Sequence, residues 1–341
     1  MLYGVGNPLM DIIVRVSYAA LGTLDVAPGS MNLVDFEQQE AAIASGTVVR
    51  RLPGGSCANT VRGVRWLLRT SGSTMNPVYT GAVGGDRNGS AFETLLDTEG
   101  VEPLLARKHT PTGSSVILVT PDSQRTMFTY LGACRDLGPA DVDLERVRRS
   151  RVFHTTGYMW DTPNQEDAIR ETVRRVRSAS GSNRAGHPII SFDIADPFVV
   201  ERYRDSLLEW IPGNVDLLFA NDEELRALTG EEGDDEAVLD AARALAPTVV
   251  MKVGARGSLV LHDGEIAAAA PHPAERMDTT GAGDAYAGGF LYGVLQKLDV
   301  TACARVANIV AGGIVSVDGC NYDALDEQVL RPAVQAAIAG P

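Results

Sequence analysis

The stretch that decides the fold is "DTTGAGDAYAGGF", Asp278 to Phe290. An apolar run follows it, so a helix starts inside it, with Gly281-Ala282-Gly283 as the opening turn and Asp284 in the first helical turn. Such a turn exposes unpaired backbone N–H groups at the positive end of the helix dipole, a seat for an anion, usually phosphate. Glycine permits both the unusual backbone angles and the close approach of a ligand. Asp284 would repel that anion. It makes sense instead as a base that takes the proton from a hydroxyl attacking phosphorus, while the amides bear the charge building up on the transferring group. The plain alternative is a carboxylate that caps the helix beside a glycine turn that only packs.

Outward from this stretch, short apolar runs alternate with amphipathic ones. "LYGVGNP", "PVYTGAV", "RVFHTTGY", "PIISFDI", "VDLLFAN" and "TVVMKVG" read as strands. Between them "NTVRGVRWLLRT", "AFETLLDTEG", "QEDAIRETVRRVRSA", "FVVERYRDSLLEWI" and "DEAVLDAARALA" read as helices. The alternation predicts an α/β fold with a mainly parallel central sheet covered on both faces. The end turns helical, over 283–298, 301–317 and 326–339. Two regions break the pattern. Residues 107–135 contain "SSVILVT", a turn at "PDSQ" and "RTMFTYLG", a β-hairpin. Residues 12–34 are strand-rich and irregular. Together they are expected to form a small β-sheet lid inserted in a single domain over 1–341; the alternative is two ordinary edge strands.

The 341 residues are 45% apolar, enough to bury a large core. The formal net charge of −14 argues against electrostatic binding to nucleic acid or to anionic membranes. It leaves phosphate binding open, because a pocket can be built from backbone amides whatever the net charge. The four cysteines, Cys57, Cys134, Cys303 and Cys320, have no CxxC spacing, so neither a disulfide framework nor a zinc site is expected. No basic leader precedes the first apolar stretch and no run is long enough to span a bilayer, so the chain reads as cytoplasmic.

The familiar nucleotide motifs fail. No GxxxxGK[ST] occurs, and Leu9 stands where the third glycine of GxGxxG should be. Other segments add chemistry. "PGGSCANTVRGV" is a second glycine turn into a helix, with Ser56 and Asn59 on its first turns, small polar groups beside bare backbone that suit hydroxyl recognition on a sugar. "GNPLMDI" puts Asn7 and Asp11 at the end of the first strand, where ligands gather in open α/β sheets. "NDEE" sets Asn221 and Glu224 three apart on one helix face, suited to magnesium-bound water; the alternative is an N-cap with its capping-box partner.

These segments, in this order, resemble the PfkB family of carbohydrate and nucleoside kinases, also called the ribokinase family. "DTTGAGDAYAGGFL" matches its C-terminal signature, and "GGSCAN" is similar to its N-terminal one. "NDEE" fits its N-x-x-E element, and "VGARG" its nucleotide-side glycine turn. The resemblance runs over roughly residues 3–320. It implies a ribokinase-like three-layer α/β/α enzyme that phosphorylates a primary alcohol with ATP and Mg²⁺, with a monovalent cation such as K⁺ a further candidate cofactor. Asp284 would be the catalytic base, and the amides of Gly281, Ala282 and Gly283 the anion hole. Arg125 would reach the transferring phosphate. Asn221 and Glu224 would organise Mg²⁺ and its waters, Glu224 through water. Asp11, Gly55 and Asn59, with Asn7 and Ser56 beside them, would hold the acceptor's hydroxyls. Lys252, Gly254 and Gly257 would line the ATP side, with Asn308 near the adenine.

Several stretches resemble the adenosine kinase branch of the family. "GVGNPLMDI" is close to its opening. "DPFVVERYRDSL" resembles the segment whose Phe, Phe198 here, closes over the acceptor base. "TTGYMWD" makes Tyr158 and Trp160 candidates to lie against that base, with strand-end core packing as the alternative. The chain departs at Thr280, where adenosine kinases commonly carry Asn, and at Lys252, where the turn often starts with Thr. The acceptor is thus expected to be an adenosine-like ribonucleoside, with a furanose or sugar-acid acceptor as the alternative and an inactive ligand-binding protein as a remote one. An exposed lid edge would give a homodimer and a covered one a monomer.

Overall fold

A computed structural model describes residues 1–122, 124–178 and 186–340. Fourteen strands are found among them: β1 Leu2–Val5, β2 Leu9–Arg15, β3 Met31–Leu33, β4 Thr47–Gly54, β5 Val78–Gly84, β6 Glu102–Lys108, β7 Thr112–Val119, β8 Arg125–Gly132, β9 Val152–Thr156, β10 Ile189–Asp193, β11 Leu217–Asn221, β12 Thr248–Lys252, β13 Ser258–His262 and β14 Glu265–Ala269. They form a nine-stranded sheet, in the order β14-β13-β12-β11-β10-β9-β1-β5-β6, and a five-stranded sheet, β3-β8-β7-β2-β4. The large sheet is parallel from β6 to β12, and β13 and β14 close it as an antiparallel meander. Its central strands are buried on both faces, which is why they read as near-continuous apolar runs.

One face of the large sheet carries the helices Ser56–Thr70, Ala282–Gln296 and Val300–Val315. Phe219 of β11 meets Phe290 and Tyr286 edge-on at ring centroid distances of 5.4 and 6.5 Å, fixing the Ala282–Gln296 helix to the sheet. The other face buries a second aromatic cluster in which Trp160 lies 5.2 Å from Phe192 and 4.8 Å from Trp210.

The smaller sheet begins earlier than expected and takes a further strand. β2 starts at Leu9, so Asp11 lies within that sheet and not at the end of the first strand of the large one. β4 was hidden in the sequence by Arg50, Arg51 and Pro53; proline is tolerated here because β4 is an edge strand. The hairpin forms as expected, β7 pairing with β8 antiparallel, although Ser123 of its turn lies outside the described residues. So does Ala179, the last residue of the expected helix whose described part is Pro163–Ser178. The four cysteines are free and buried. Among the described residues no helix is long and apolar enough to cross a membrane.

Candidate active site

The opening stretch folds as a turn that ends in the left-handed region. Gly281 has φ +75°, and a Cβ there would lie 2.5 Å from the Cβ of Cys320, so only glycine fits. The helix then starts at Ala282 with no side-chain cap. Asp284 therefore does not cap it. Its Oδ1 accepts from Ser56 Oγ at 2.6 Å and its Oδ2 from Asn59 Nδ2 at 2.9 Å. Of the three expected anion-hole amides, that of Ala282 is already donated to Thr279 O at 3.2 Å.

The donors to Asp284 come from the second glycine turn. Gly55 has φ +94°, and a Cβ on it would lie 2.2 Å from Asn7 O. This turn swings the chain from β4 into the Ser56–Thr70 helix and aims that helix's first turns at Asp284. Burial pushes the Asp284 carboxyl above its ordinary range; the Ser56 and Asn59 hydrogen bonds and Lys252 oppose this, and Asp193 adds to it.

Two cavities lie at this turn, and Asp284 lines the first of them. The first, of about 540 Å³, is lined by Asn7, Asp11, Gly55, Ser56, Tyr158, Asp193, Glu224, Gly281 and Asp284. Leu9, Met31, Leu33, Met127 and Leu131 of the smaller sheet also line it, with Ser115 and Thr129 of the same sheet among them. The second, of about 560 Å³, is lined by Gly254, Gly257, Pro271, His272, Asn308, Gly312 and Val315. Lys252, Gly254 and Gly283 line both. Asn308 sits in the second cavity's wall, its amide donating to Ser258 Oγ at 3.1 Å and Ala269 O at 3.2 Å.

Lys252 is the cation at the junction. Its Nζ lies 3.0 and 2.9 Å from the two oxygens of Asp193, and both side chains are largely buried. Burial pulls the ammonium's pKa down, but Asp193 and Glu224 outweigh it, so Lys252 stays charged. Asp193 itself went unread in the sequence. It lies at the C-terminal end of β10, and the general rule that ligands gather there was the available signal.

The half-buried Asp11 and the buried Glu224 are two further carboxyls of this cavity, which Asp161 also lines. Burial, reinforced by Asp284, pushes Asp11 up to about 7. Burial also raises Glu224, with Lys252 opposing. Asn221 and Glu224 form a reciprocal capping box: Asn221 N and Nδ2 donate to Glu224 at 2.7 and 2.8 Å, and Glu224 N donates back at 2.7 Å. The capping alternative is thus what these two residues do locally, while Glu224 still faces the first cavity. Among the described residues no three carboxylates, histidines or cysteines gather as a cage for a metal, so the carboxylates of this wall fit only a hard cation such as Mg²⁺ held mostly by phosphate and water.

Arg125, on β8, reaches the loop before the glycine turn and does not line the first cavity. Its guanidinium binds Asp278 Oδ2 at 2.7 Å and hydrogen-bonds Thr280 Oγ1. Burial favours the neutral Asp278 carboxyl, but the N–H groups of Thr280 and Gly319 and the Arg125 guanidinium outweigh it and hold it below the usual range.

Three expected contacts fall elsewhere. Trp160 is 2% exposed and packs in the aromatic cluster, with Nε1 donating to Ser206 Oγ at 3.0 Å, so it is core. Its neighbour Tyr158 does line the cavity, and its hydroxyl donates to Asp196 Oδ2 at 2.9 Å. Phe198, on the first turn of the Pro197–Asn214 helix, is 40% exposed and lies off the cavity wall. Asn59 holds Asp284 and does not line the first cavity.

Comparison with known proteins bears on this arrangement. The model of the pfkB family carbohydrate kinase matches residues 26–327. A nucleoside kinase of Methanothermobacter thermautotrophicus is 32% identical over 86% of this chain and 88% of its own length. The adenosine kinase of Sinorhizobium meliloti superposes with a TM-score of 0.86 at 33% identity, covering 97% of this chain and 98% of its own. A probable sugar kinase from Rhizobium etli CFN 42 superposes with a TM-score of 0.87 at 31% identity, over the same shares. A glycine turn at a helix start, a carboxylate beside it and two cavities that share the turn's Gly283 are what phosphoryl transfer to a hydroxyl needs, and the chain belongs to the pfkB family of carbohydrate kinases, ATP-using phosphotransferases with an alcohol group as acceptor.

Proposed function

We propose that the chain transfers the γ-phosphoryl group of ATP to the 5′-hydroxyl of an adenosine-like ribonucleoside in the cytoplasm. One observation carries the nucleoside: the first cavity is lined by two unlike sets of side chains. Asp11, Asn7, Ser56 and Asp284 suit a hydroxylated ring, and Leu9, Met31, Leu33, Met127 and Leu131 suit the flat apolar face of a base. A bare sugar would leave the apolar set unused. The second cavity takes ATP, with its phosphates toward Gly283 and Lys252.

Asp284 receives the proton of the attacking hydroxyl, and its raised pKa brings it nearer to a useful base. The free N–H groups of the turn and the Lys252 ammonium bear the charge on the transferring group. Mg²⁺, when bound, neutralises phosphate charge; Glu224 would hold it through water. Phe198 is exposed, on a helix whose cap Asp196 is bonded to Tyr158 of the cavity wall. It closes over the base once the acceptor is seated. β4, an edge strand with exposed Val48 and Val49, is the surface through which a homodimer would pair.

A furanose or sugar-acid acceptor is the second reading. It is favoured by the match to a probable sugar kinase and by Thr280, whose hydroxyl serves Arg125. An acceptor panel at saturating MgATP separates the two. Adenosine is expected to give the highest kcat/KM, and Phe198→Ala to raise KM for adenosine far more than for a sugar. If ribose, fructose or 2-keto-3-deoxygluconate outpaces adenosine, the nucleoside reading is wrong. Turnover of none would favour a ligand-binding protein on the kinase fold.

A further inference from the structure

Behind Asp284, on the side away from both cavities, a line of side chains runs out to the surface. Asn59 Nδ2 donates to Asp284 Oδ2 at 2.9 Å. The other end of the same amide, Oδ1, accepts from Arg62 Nη1 at 3.2 Å. Arg62 is in turn gripped by Glu99, Nε and Nη2 each donating to one carboxylate oxygen at 2.7 Å. The guanidinium lies 5.6 Å from the Tyr322 ring centroid, and the Tyr322 hydroxyl donates to Asn59 O at 2.9 Å. Arg62 Nη1 also reaches Cys320 O at 3.4 Å, in the loop that packs on Gly281. Arg62 is only 6% exposed, and neither it nor Glu99 lines the two large cavities.

The chemistry of the line forces one orientation. A guanidinium only donates hydrogen bonds and a carboxylate only accepts them. Between the two, the Asn59 amide can satisfy both neighbours only with its oxygen toward Arg62 and its NH₂ toward Asp284. Without Arg62 nothing holds the oxygen back, and a flipped amide would set a carbonyl dipole against the carboxylate. The bidentate Glu99 contact fixes the guanidinium plane from behind. Resting on the reading of Asp284 as base, we propose that Arg62, gripped by Glu99, is a positioning residue that keeps the Asn59 N–H on Asp284 and so fixes the carboxylate in the orientation that accepts the acceptor's proton.

The test is a kinetic double-mutant cycle on the full chain. Arg62→Met combined with Glu99→Gln removes the pair without stranding a buried carboxylate. The expected result is a fall in kcat of about tenfold or more, with KM for ATP changed by less than about twofold. In an Asn59→Ala background the same two changes should cost nothing further, and Arg62→Lys alone should keep most of the wild-type kcat.

The acid limb of the kcat profile should also move to higher pH, because the Asn59 hydrogen bond is one of the contacts holding the Asp284 pKa down. The other titratable groups facing Asp284 are Asp11, Asp193, Lys252, Cys57, Cys320, Tyr158 and Tyr322, and the variants leave them all in place. An equal fall in kcat with and without Asn59, or an unmoved acid limb, overturns the proposal. If the double variant does not fold, Arg62→Gln carries the same comparison. Near-normal turnover in Asp284→Asn would instead remove the base reading itself, so the two failures are told apart.

Discussion

Asp284→Asn is close to an isosteric change, and the structure says why. The new side-chain oxygen can accept from Asn59 Nδ2, as Oδ2 does now at 2.9 Å. The new NH₂ can donate to Ser56 Oγ, which at present donates to Oδ1 at 2.6 Å and need only rotate its hydroxyl. No hydrogen bond is lost and no cavity opens. What disappears is the proposed base.

Loss of a positioned general base costs about 10²–10⁴-fold, or roughly 3–5 kcal/mol of barrier at 1.36 kcal/mol per tenfold. Stability should move the other way. The folded pKa of Asp284 is raised, so its stabilising contribution is complete below the unfolded pKa and is lost as pH rises through the folded value. Asparagine does not titrate. The variant should therefore melt at or above the wild-type temperature at neutral pH, with the gap closing in acid. Steady-state ADP release measures the first effect, calorimetric titration checks that ATP still binds, and thermal melts at several pH values measure the second. A kcat within about threefold of wild type would falsify the assignment of Asp284 as base. A slow variant that also melts lower would show that the carboxylate holds the fold together.

Three further outcomes follow from the same contacts. Gly281→Ala places a Cβ in the left-handed region and against Cys320, so urea denaturation should show a loss of at least about 1–2 kcal/mol, with kcat falling as the turn shifts. Trp160→Ala should cost about 3–5 kcal/mol by the same assay with KM for the acceptor unchanged; a large KM effect with little loss of stability would place Trp160 at the ligand after all. Lys252→Met leaves Asp193 buried without its partner and should cost roughly 3–5 kcal/mol, most of it recovered on adding Asp193→Asn, while activity stays low in both. Recovery of activity together with stability would mean that Lys252 does not meet the transferring group.

The order of strands and helices was legible because the large sheet is buried on both faces and its strands are bounded by amphipathic runs. The β7–β8 hairpin announced itself through its turn. β4 did not, since an edge strand with two arginines and a proline carries no apolar alternation. At the site, Asp284, Gly281 and Gly55 were legible because backbone geometry writes itself into glycine spacing. Asp193 and the Arg62–Glu99 pair were not. Their partners lie 59 and 37 residues away in the chain, and a single buried ion pair leaves no periodic trace. Trp160 and Tyr158 show the limit of a resemblance. Two aromatics two positions apart fall on a 3-10 turn, Gly157–Trp160, where they stand about 120° apart around the axis, and Tyr158 is the one that meets the cavity.

The chain passes between the two sheets four times: from β1 to β2, after β4, from β6 to β7 and after β8. These crossings are tied together, Ala133 N donating to Pro111 O at 2.8 Å and the Cys134 thiol lying 3.7 Å from Pro8 O. Asn7 and Gly55 belong to two of them and also line the first cavity. Were the smaller sheet to swing as a lid, its axis would run through the pocket floor, and a bound acceptor would press on the pivot itself and not on a distant lever arm. Affinity and closure would then draw on the same few backbone angles. A substitution that stiffens the pivot would change both together, and neither could be tuned alone from these positions.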